Sequence, residues 1–241
     1  MNFKNYFLLL FFTVFIFKLN AQESTPNVPM QANISVEVTP EYIPSIASRL
    51  ADLPPYVDVV KEAADKRSLG NTVIIGKDRQ TQDDYFVRNA HESSQSVRVV
   101  PPILVFDAYQ SGSQPTDPSM AIGPNHVFVV FNTGFAIYDK SGNLLAGPLS
   151  PNPTIFPSSG CCDLTASYDA AADRWVISFL GGGAQVAVSD GPDPINNGWY
   201  NYNISAINDY QKLSVWSDGY YMTDNTGSSN KVWAMERAEM L

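Results

Sequence analysis

Three aspartates at one fixed spacing are the residues of this chain best placed to do chemistry. Asp117, Asp163 and Asp209 lie 46 residues apart, and each opens a segment with the composition of a β-strand. Equivalent strands around a common axis would bring these carboxylates into an arc at the mouth of a central channel. Like charges held together raise one another's pKa or recruit a cation, so the arc is a candidate catalytic or calcium-binding site. The alternative, which we favour, is that each carboxylate caps backbone N–H groups of its own turn.

The elements that follow each aspartate predict the blades of a β-propeller. Val, Ile, Phe, Tyr and Trp fill short segments, while Gly, Pro, Asn, Asp and Ser fill the joints between them. Each unit therefore reads as strand, turn, strand, loop, strand, with fourth strands predicted at residues 144–149 and 199–204. A repeat of about 40 to 50 residues with four short strands is typical of a propeller.

The fold class predicted is all-β: an incomplete β-propeller of about three blades over residues 101–241. A flexible leader is expected at residues 22–40, followed by a small α+β N-terminal segment at residues 41–100 that starts with a helix over residues 43–50. Closed propellers have about 4 to 8 blades. We therefore expect the chain to belong to a longer protein or to be completed by a partner.

Residues 1–21 have the pattern of a secretory signal peptide. Lys4 precedes an apolar run at residues 6–17, and a small residue, Ala21, stands before Gln22. A membrane span needs about 20 apolar residues, so a retained anchor is the weaker alternative. No later segment is apolar enough to cross a bilayer, and no transmembrane segment is predicted in the mature chain.

The charge of the chain disfavours nucleic acid and anionic lipid as partners. The formal net charge is −9, and removal of the signal peptide takes away Lys4 and Lys18, which leaves −11. Phosphate backbones and anionic headgroups attract clustered Lys and Arg, which are absent here. We predict no nucleic-acid binding and no cofactor, with calcium as the ion that so acidic a surface could attract.

Two adjacent cysteines, Cys161 and Cys162, stand just before Asp163. They are the only cysteines in the chain, and export would favour their oxidation. Three alternatives remain open: a vicinal disulfide, pairing with a cysteine outside this sequence, and free thiols. Zinc is disfavoured because there is no CxxC spacing and only two histidines.

The turn at residues 189–199 is a candidate calcium site. Asp190, Asp193 and Asn196 offer the oxygen ligands that calcium selects, although the alternating ligands and closing glutamate of an EF-hand are missing. In the alternative interpretation, Asp193 accepts hydrogen bonds from its own turn and Trp199 packs between blades.

Four segments carry a resemblance to a known family: residues 117–132 (DPSMAIGPNHVFVVFN), 168–178 (YDAAADRWVIS), 186–199 (VAVSDGPDPINNGW) and 209–223 (DYQKLSVWSDGYYMT). They resemble secreted bacterial β-propeller proteins of largely unknown function, which are distantly similar to sialidase-type propellers. The resemblance implies a Gram-negative surface location and a longer chain with adhesive or sorting modules. It also implies that residues 189–199 correspond to the sialidase Asp-box, a folding turn. The arginine cluster and Tyr–Glu pair of sialidases have no recognisable counterpart.

Two functions are therefore weighed. The first is a secreted or cell-surface propeller that acts as a non-catalytic binding or adhesion platform for protein or glycan. The second is an extracellular glycan-processing enzyme, a sialidase-like glycoside hydrolase with its acids at the channel mouth. No GxSxG, HExxH, P-loop or dinucleotide motif is present, so nucleophilic, zinc-dependent and nucleotide-dependent chemistry have no support.

Overall fold

Short antiparallel strands form most of the chain that the structure describes. The structure is a computed structural model, and it describes residues 35–58, 104–113, 115–207, 209–225 and 232–241. The predicted signal peptide and most of the predicted leader and α+β segment lie outside these residues. Within them there are three antiparallel sheets, none of which closes on itself. The all-β class is therefore confirmed.

The first two sheets are built from consecutive strands. The first strand among the described residues, β1, covers Glu41–Ile43. The first sheet contains β2 to β5 in sequence order: Ser119–Ile122, His126–Phe131, Gly134–Asp139 and Leu144–Leu149. The second contains β6 to β9: Cys162–Asp169, Arg174–Leu180, Ala184–Ser189 and Trp199–Ile204. The two fourth strands lie at the residues that the sequence predicted.

The third sheet has three described strands. These are β10 (Lys212–Val215), β11 (Gly219–Thr223) and β12 (Val232–Glu236), and a 3₁₀ turn follows at Arg237–Glu239. In the third sheet β10 pairs antiparallel with β11, and β11 pairs antiparallel with β12.

The N-terminal residues contribute a strand to the second sheet. Strand β1 pairs antiparallel with β9, with Tyr42 opposite Tyr200, so the second sheet has five strands. The helix predicted over residues 43–50 is shorter, Ile46–Arg49, because Ser45 caps its first turn and the residues before it are extended. A second short helical turn lies at Pro151–Thr154, before β6.

Alternation along β7 explains how the sheets stack. Trp175 and Ile177 belong to an apolar cluster with Phe128 and Phe135 of the first sheet. Val176, between them in sequence, belongs instead to a cluster with Tyr220 of the third sheet. Successive side chains of a strand point to opposite faces, so the second sheet is covered on both sides.

The first strands of the three sheets are neighbours. Strand β6 packs against β2 on one side and against β10 on the other. The residues at the starts of these strands are therefore brought to one region of the molecule. This arrangement positions the aspartates considered next.

Candidate functional site

The repeated aspartates lie at or just before the starts of β2, β6 and β10. Asp117 has a backbone φ of +40° and Asp163 of +58°, which is the left-handed region that aspartate tolerates better than most residues. In the third repeat this conformation belongs to Tyr210, with φ of +45°. Asp209 therefore lies one position earlier relative to its strand than the constant 46-residue spacing predicts.

Equivalent backbone hydrogen bonds in the first and third repeats confirm this offset. The Asn225 N–H donates to the Asp209 carbonyl at 3.1 Å, as the Asn132 N–H donates to the Thr116 carbonyl at 2.8 Å. Asp209 therefore matches Thr116 in its backbone bonding. Its carboxylate is exposed, whereas that of Asp117 is half-buried.

The backbone of Asp163 is held from both sides by side-chain amides. Its N–H donates to Asn132 Oδ1 at 2.7 Å, and its carbonyl accepts from Gln211 Nε2 at 2.7 Å. Asn132 follows β3 of the first sheet, while Gln211 precedes β10 of the third. Two side chains that sequence reasoning did not single out therefore connect the middle sheet to both neighbours.

The Asp163 carboxylate differs from a turn-capping group. The residue is only 9% exposed, and no hydrogen bond reaches its carboxylate from the residues that the structure describes. Burial raises the pKa of Asp163; Lys212 opposes the shift, and Asp117 and Asp209 add to it. Asp117 and Asp209 therefore lie close enough to Asp163 to act on its pKa, whereas the capping role that the sequence favoured is not seen for the Asp163 carboxylate.

Beside this acid, Cys161 and Cys162 form a vicinal disulfide. The Cys161 N–H donates to the Leu180 carbonyl at 2.9 Å, which ties the cysteine pair to the end of β7. A surface cavity of about 510 Å³ opens here, and its lining includes Gly160, Cys161, Leu180, Gly182 and Ser205. Cys161 and Asp163 are two residues apart, so their Cα atoms are at most about 7 Å apart.

Glycine is required where two backbone segments meet beside the cavity. A Cβ at Gly181 would lie 2.3 Å from the Gly160 Cα atom, which is far closer than two non-bonded carbon atoms can approach. Gly182 differs, because a Cβ there would meet no atom within 4 Å. Its side-chain position therefore faces open space at the cavity.

The turn predicted to bind calcium is held by its own hydrogen bonds. Asp193 Oδ1 accepts from the N–H groups of Ile195 and Asn196 at 2.9 and 3.0 Å, and Asp193 Oδ2 accepts from Asn196 Nδ2 at 2.8 Å. Asp190 takes part through its backbone N–H, which donates to the Gly198 carbonyl at 2.8 Å. In the described ranges, no three His, Cys, Asp or Glu side chains are grouped to hold a metal ion.

The donor set of this turn therefore does not fit a preformed calcium site. Burial alone would raise the pKa of Asp193, but the bonds from Asn196 and Ile195 outweigh burial and lower it. The carboxylate oxygens that calcium needs are already used by the turn. The alternative interpretation, in which Asp193 fixes its own turn, agrees with this geometry, and Trp199 is fully buried beside it.

Replacing Asp193 with alanine is expected to lower stability without any dependence on calcium. The variant loses bonds to two backbone N–H groups and one side-chain amide, so we expect a loss of about 1–2 kcal/mol. Urea unfolding with EDTA and with millimolar calcium measures the difference. Stabilisation of the wild type by calcium that Asp193→Ala abolishes would contradict this assignment.

Sequence reasoning missed the most extensive polar network, which is centred on Asp169 at the end of β6. Arg237 binds its carboxylate through two nitrogens, Nε to Oδ2 at 2.5 Å and an Nη to Oδ1 at 3.1 Å. The Tyr220 hydroxyl donates to Oδ2 at 2.8 Å. Burial would raise the pKa of Asp169, but the bonds from Arg237 and Tyr220 outweigh it and lower it. Asp169 therefore ties the second sheet to the third.

Arginine side chains of the described residues all serve the fold. Arg49 donates to the Pro44 carbonyl before its own helix and to two carbonyls of the Pro151–Thr154 helical turn. Arg174 donates to carbonyls of its own turn. Arg237 is paired with Asp169. None of the three is free to bind the carboxylate of a sialic acid.

Comparison with known proteins adds no assignment. The chain matches no family model, no curated protein and no solved structure. The resemblance to secreted sialidase-like propellers therefore stays a prediction. In the part of the chain that the structure covers, no helix is long and apolar enough to span a membrane.

Proposed function

We propose that this chain is an exported, propeller-type binding platform that holds a protein or glycan at the cell surface without turning it over. The observation that carries the proposal is the cavity of about 510 Å³ at the start of the second sheet, whose lining residue Cys161 stands two residues before Asp163. A concave surface with a few polar groups is the usual form of a ligand site.

The stacking of the sheets supports the propeller part of the proposal. Three antiparallel sheets lie face to face, and their first strands, β2, β6 and β10, are neighbours. Blades of a propeller meet in this way, with each first strand nearest the axis. The vicinal disulfide supports export, because disulfides persist mainly in oxidising compartments.

The chemistry of the side chains favours binding over hydrolysis. A glycosidase needs two carboxylates in separate acid and base roles, and a sialidase also needs guanidinium groups for its substrate. Asp169 and Asp193 are used by hydrogen bonds of the fold, as are the three described arginines. The cavity itself is lined by Gly, Ser, Leu and Cys, which provide shape and backbone polar groups but no acid or base.

A side chain placed at Gly182 tests the proposal. Gly182 has φ of +63°, which asparagine tolerates better than most residues, and the space around it is open, so Gly182→Asn adds a side chain at the cavity with a small cost in backbone strain. The wild type is expected to bind members of a glycan array or purified cell-surface proteins, and Gly182→Asn to weaken that binding at least tenfold. Ser141→Asn, at an exposed turn of the first sheet, is the matched control.

The rival enzyme is tested on the same proteins with fluorogenic sialosides and other aryl glycosides. We expect no release of the fluorophore by the wild type. If the wild type released the fluorophore and the release depended on Asp117, Asp163 or Asp209, the protein would be a glycan-processing enzyme and not a binding platform. If Gly182→Asn bound the ligand as tightly as the wild type, the binding site would lie elsewhere than in the cavity.

A further inference from the structure

Two acceptors without donors lie at the start of β6. Asp163 is 9% exposed as a residue, and its carboxylate receives no hydrogen bond from the described residues. Gln211 is fully buried, and its Oε1 has no partner, whereas its Nε2 donates to the Asp163 carbonyl at 2.7 Å. Buried polar atoms are nearly always paired, so the unpartnered Gln211 Oε1 beside the unbonded Asp163 carboxylate points to a donor that binds from outside.

The surroundings select a positively charged donor. Asp117 and Asp209 flank Asp163 closely enough to act on its charge, which gives three carboxylates against one lysine, Lys212. The Lys212 ammonium does not fill the site, because it lies over the Tyr210 ring, with Nζ 3.6 Å from the ring centre. A carboxylate and an amide oxygen accept hydrogen bonds but cannot donate them, which excludes an anionic ligand group.

The spacing of the acids favours an organic cation over a bare metal ion. No three carboxylate, imidazole or thiol groups among the described residues converge as a metal requires. An ammonium group has three donors and can contact acceptors that are spread more widely. Because Asp163 is 9% exposed, that ammonium must arrive on a slim stem. A lysine side chain has such a stem, whereas the ammonium of an amino sugar is fixed to a bulky ring.

We propose that the starts of β2, β6 and β10 form a receptor for a lysine side chain of a protein partner, with Asp163 and Gln211 Oε1 as its floor and Asp117 and Asp209 at its rim. The adjoining cavity, which begins two residues away at Cys161, takes the backbone or neighbouring side chain of the same partner segment. This inference rests on the proposed function, because it names the chemistry of the partner.

The test uses short peptides with a single lysine and the same peptides acetylated on Nζ. Titration calorimetry of the full chain is expected to detect binding of the lysine peptide, with at least tenfold weaker binding after acetylation. Asp163→Asn is expected to weaken binding at least tenfold. Asp107→Asn removes one charge from an exposed position elsewhere and is expected to leave binding unchanged.

A gain of affinity provides a second, independent readout. Lys212 repels an incoming ammonium, so Lys212→Gln is expected to strengthen binding of the lysine peptide about twofold to tenfold. Gln211→Met keeps the volume but removes the unpartnered oxygen, and should weaken binding. Circular dichroism and urea unfolding establish that each variant is folded. Asp163→Asn is expected to be at least as stable as the wild type, because it removes a buried unpaired charge.

Three results would overturn the inference. One is equal binding of the acetylated and unmodified peptides, and another is unchanged binding by Asp163→Asn. The third is binding of calcium or glucosamine at this site in place of the lysine peptide. If lysine peptides fail but a glycan or surface protein still binds in a manner that depends on Gly182, only this inference is lost and the platform stands.

Discussion

Replacing Asp169 with alanine is expected to cost about 3–5 kcal/mol of unfolding free energy, because it leaves a partly buried guanidinium, a buried tyrosine hydroxyl and two turn N–H groups without their acceptor. Asp169 is 3% exposed and binds Arg237 through two nitrogens. It also accepts from the Tyr220 hydroxyl and from the N–H groups of Ala171 and Ala172. One carboxylate therefore closes a turn and joins two sheets, and its loss affects both.

Asp139→Ala provides a matched control for this prediction. Like Asp169, Asp139 is the last residue of its strand, and it accepts three hydrogen bonds in its turn, from Ser141 and Asn143, but it is accessible to solvent. We expect a clearly smaller loss for Asp139→Ala in urea unfolding at pH 7. Tyr220→Phe removes a single donor to Asp169 and is expected to cost about 1.5–3 kcal/mol. Equal losses for Asp169→Ala and Asp139→Ala would contradict the role assigned to burial.

Acid should reproduce part of the Asp169 effect in the wild type. The folded-state pKa of Asp169 lies below its unfolded value of about 3.9. The stabilisation is therefore fully present above about pH 4 and is lost as the pH falls through the folded pKa. Asp163 acts in the opposite sense, because its folded-state pKa is raised and the native state binds the proton more tightly. Its contribution to stability is therefore lost as the pH rises from the unfolded pKa through the higher folded pKa. Asp169→Asn should lack the loss of stability at low pH, and Asp163→Asn should lack the loss of stability as the pH rises.

Local patterns predicted the strands because strand formation depends on composition and alternation. The β3, β7 and β11 segments are rich in Val, Phe, Ile, Tyr and Trp and end at Gly, Asn or Asp, so their existence could be predicted from the sequence. The addition of β1 to β9 could not be predicted in this way. The segment is three residues long, and its partner lies 156 to 160 residues away in the chain, as the pairs Ile43–Trp199 and Glu41–Asn201 show.

The hydrogen bonds and ion pairs that join neighbouring sheets could not be predicted from the sequence. The 46-residue spacing predicted an arc of acids, and Asp163 does respond to Asp117 and Asp209. The amides that hold Asp163 come from Asn132 and Gln211, whose roles depend on how neighbouring sheets stack. In the same way, the pairing of Asp169 with Arg237 joins residues 68 positions apart. Spacing within one repeat contains no information on such contacts.

Replacing Trp175 with alanine is expected to destabilise the fold by about 3–5 kcal/mol, the usual loss for a large aromatic side chain in a core. Trp175 is fully buried between the first two sheets, with ring centroids 5.7 Å from Phe128 and 4.8 Å from Tyr168. Its Nε1 donates to the Pro192 carbonyl at 2.9 Å, so the same residue also supports the turn before β9. The variant should therefore lose contacts between sheets and one buried hydrogen bond.

Trp216→Ala is the control, because this substitution removes the same indole group from a residue that is 69% exposed. We expect its unfolding free energy to change by no more than about 0.5 kcal/mol. Trp175→Phe should lie between the two alanine variants, since the phenyl ring keeps part of the packing but leaves the Pro192 carbonyl without its donor. Urea unfolding followed by far-UV circular dichroism measures all three. If Trp175→Ala and Trp216→Ala lost the same stability, the two sheets could not pack face to face through Trp175. The stacking that brings Asp117, Asp163 and Asp209 to one region would then lack its apolar support.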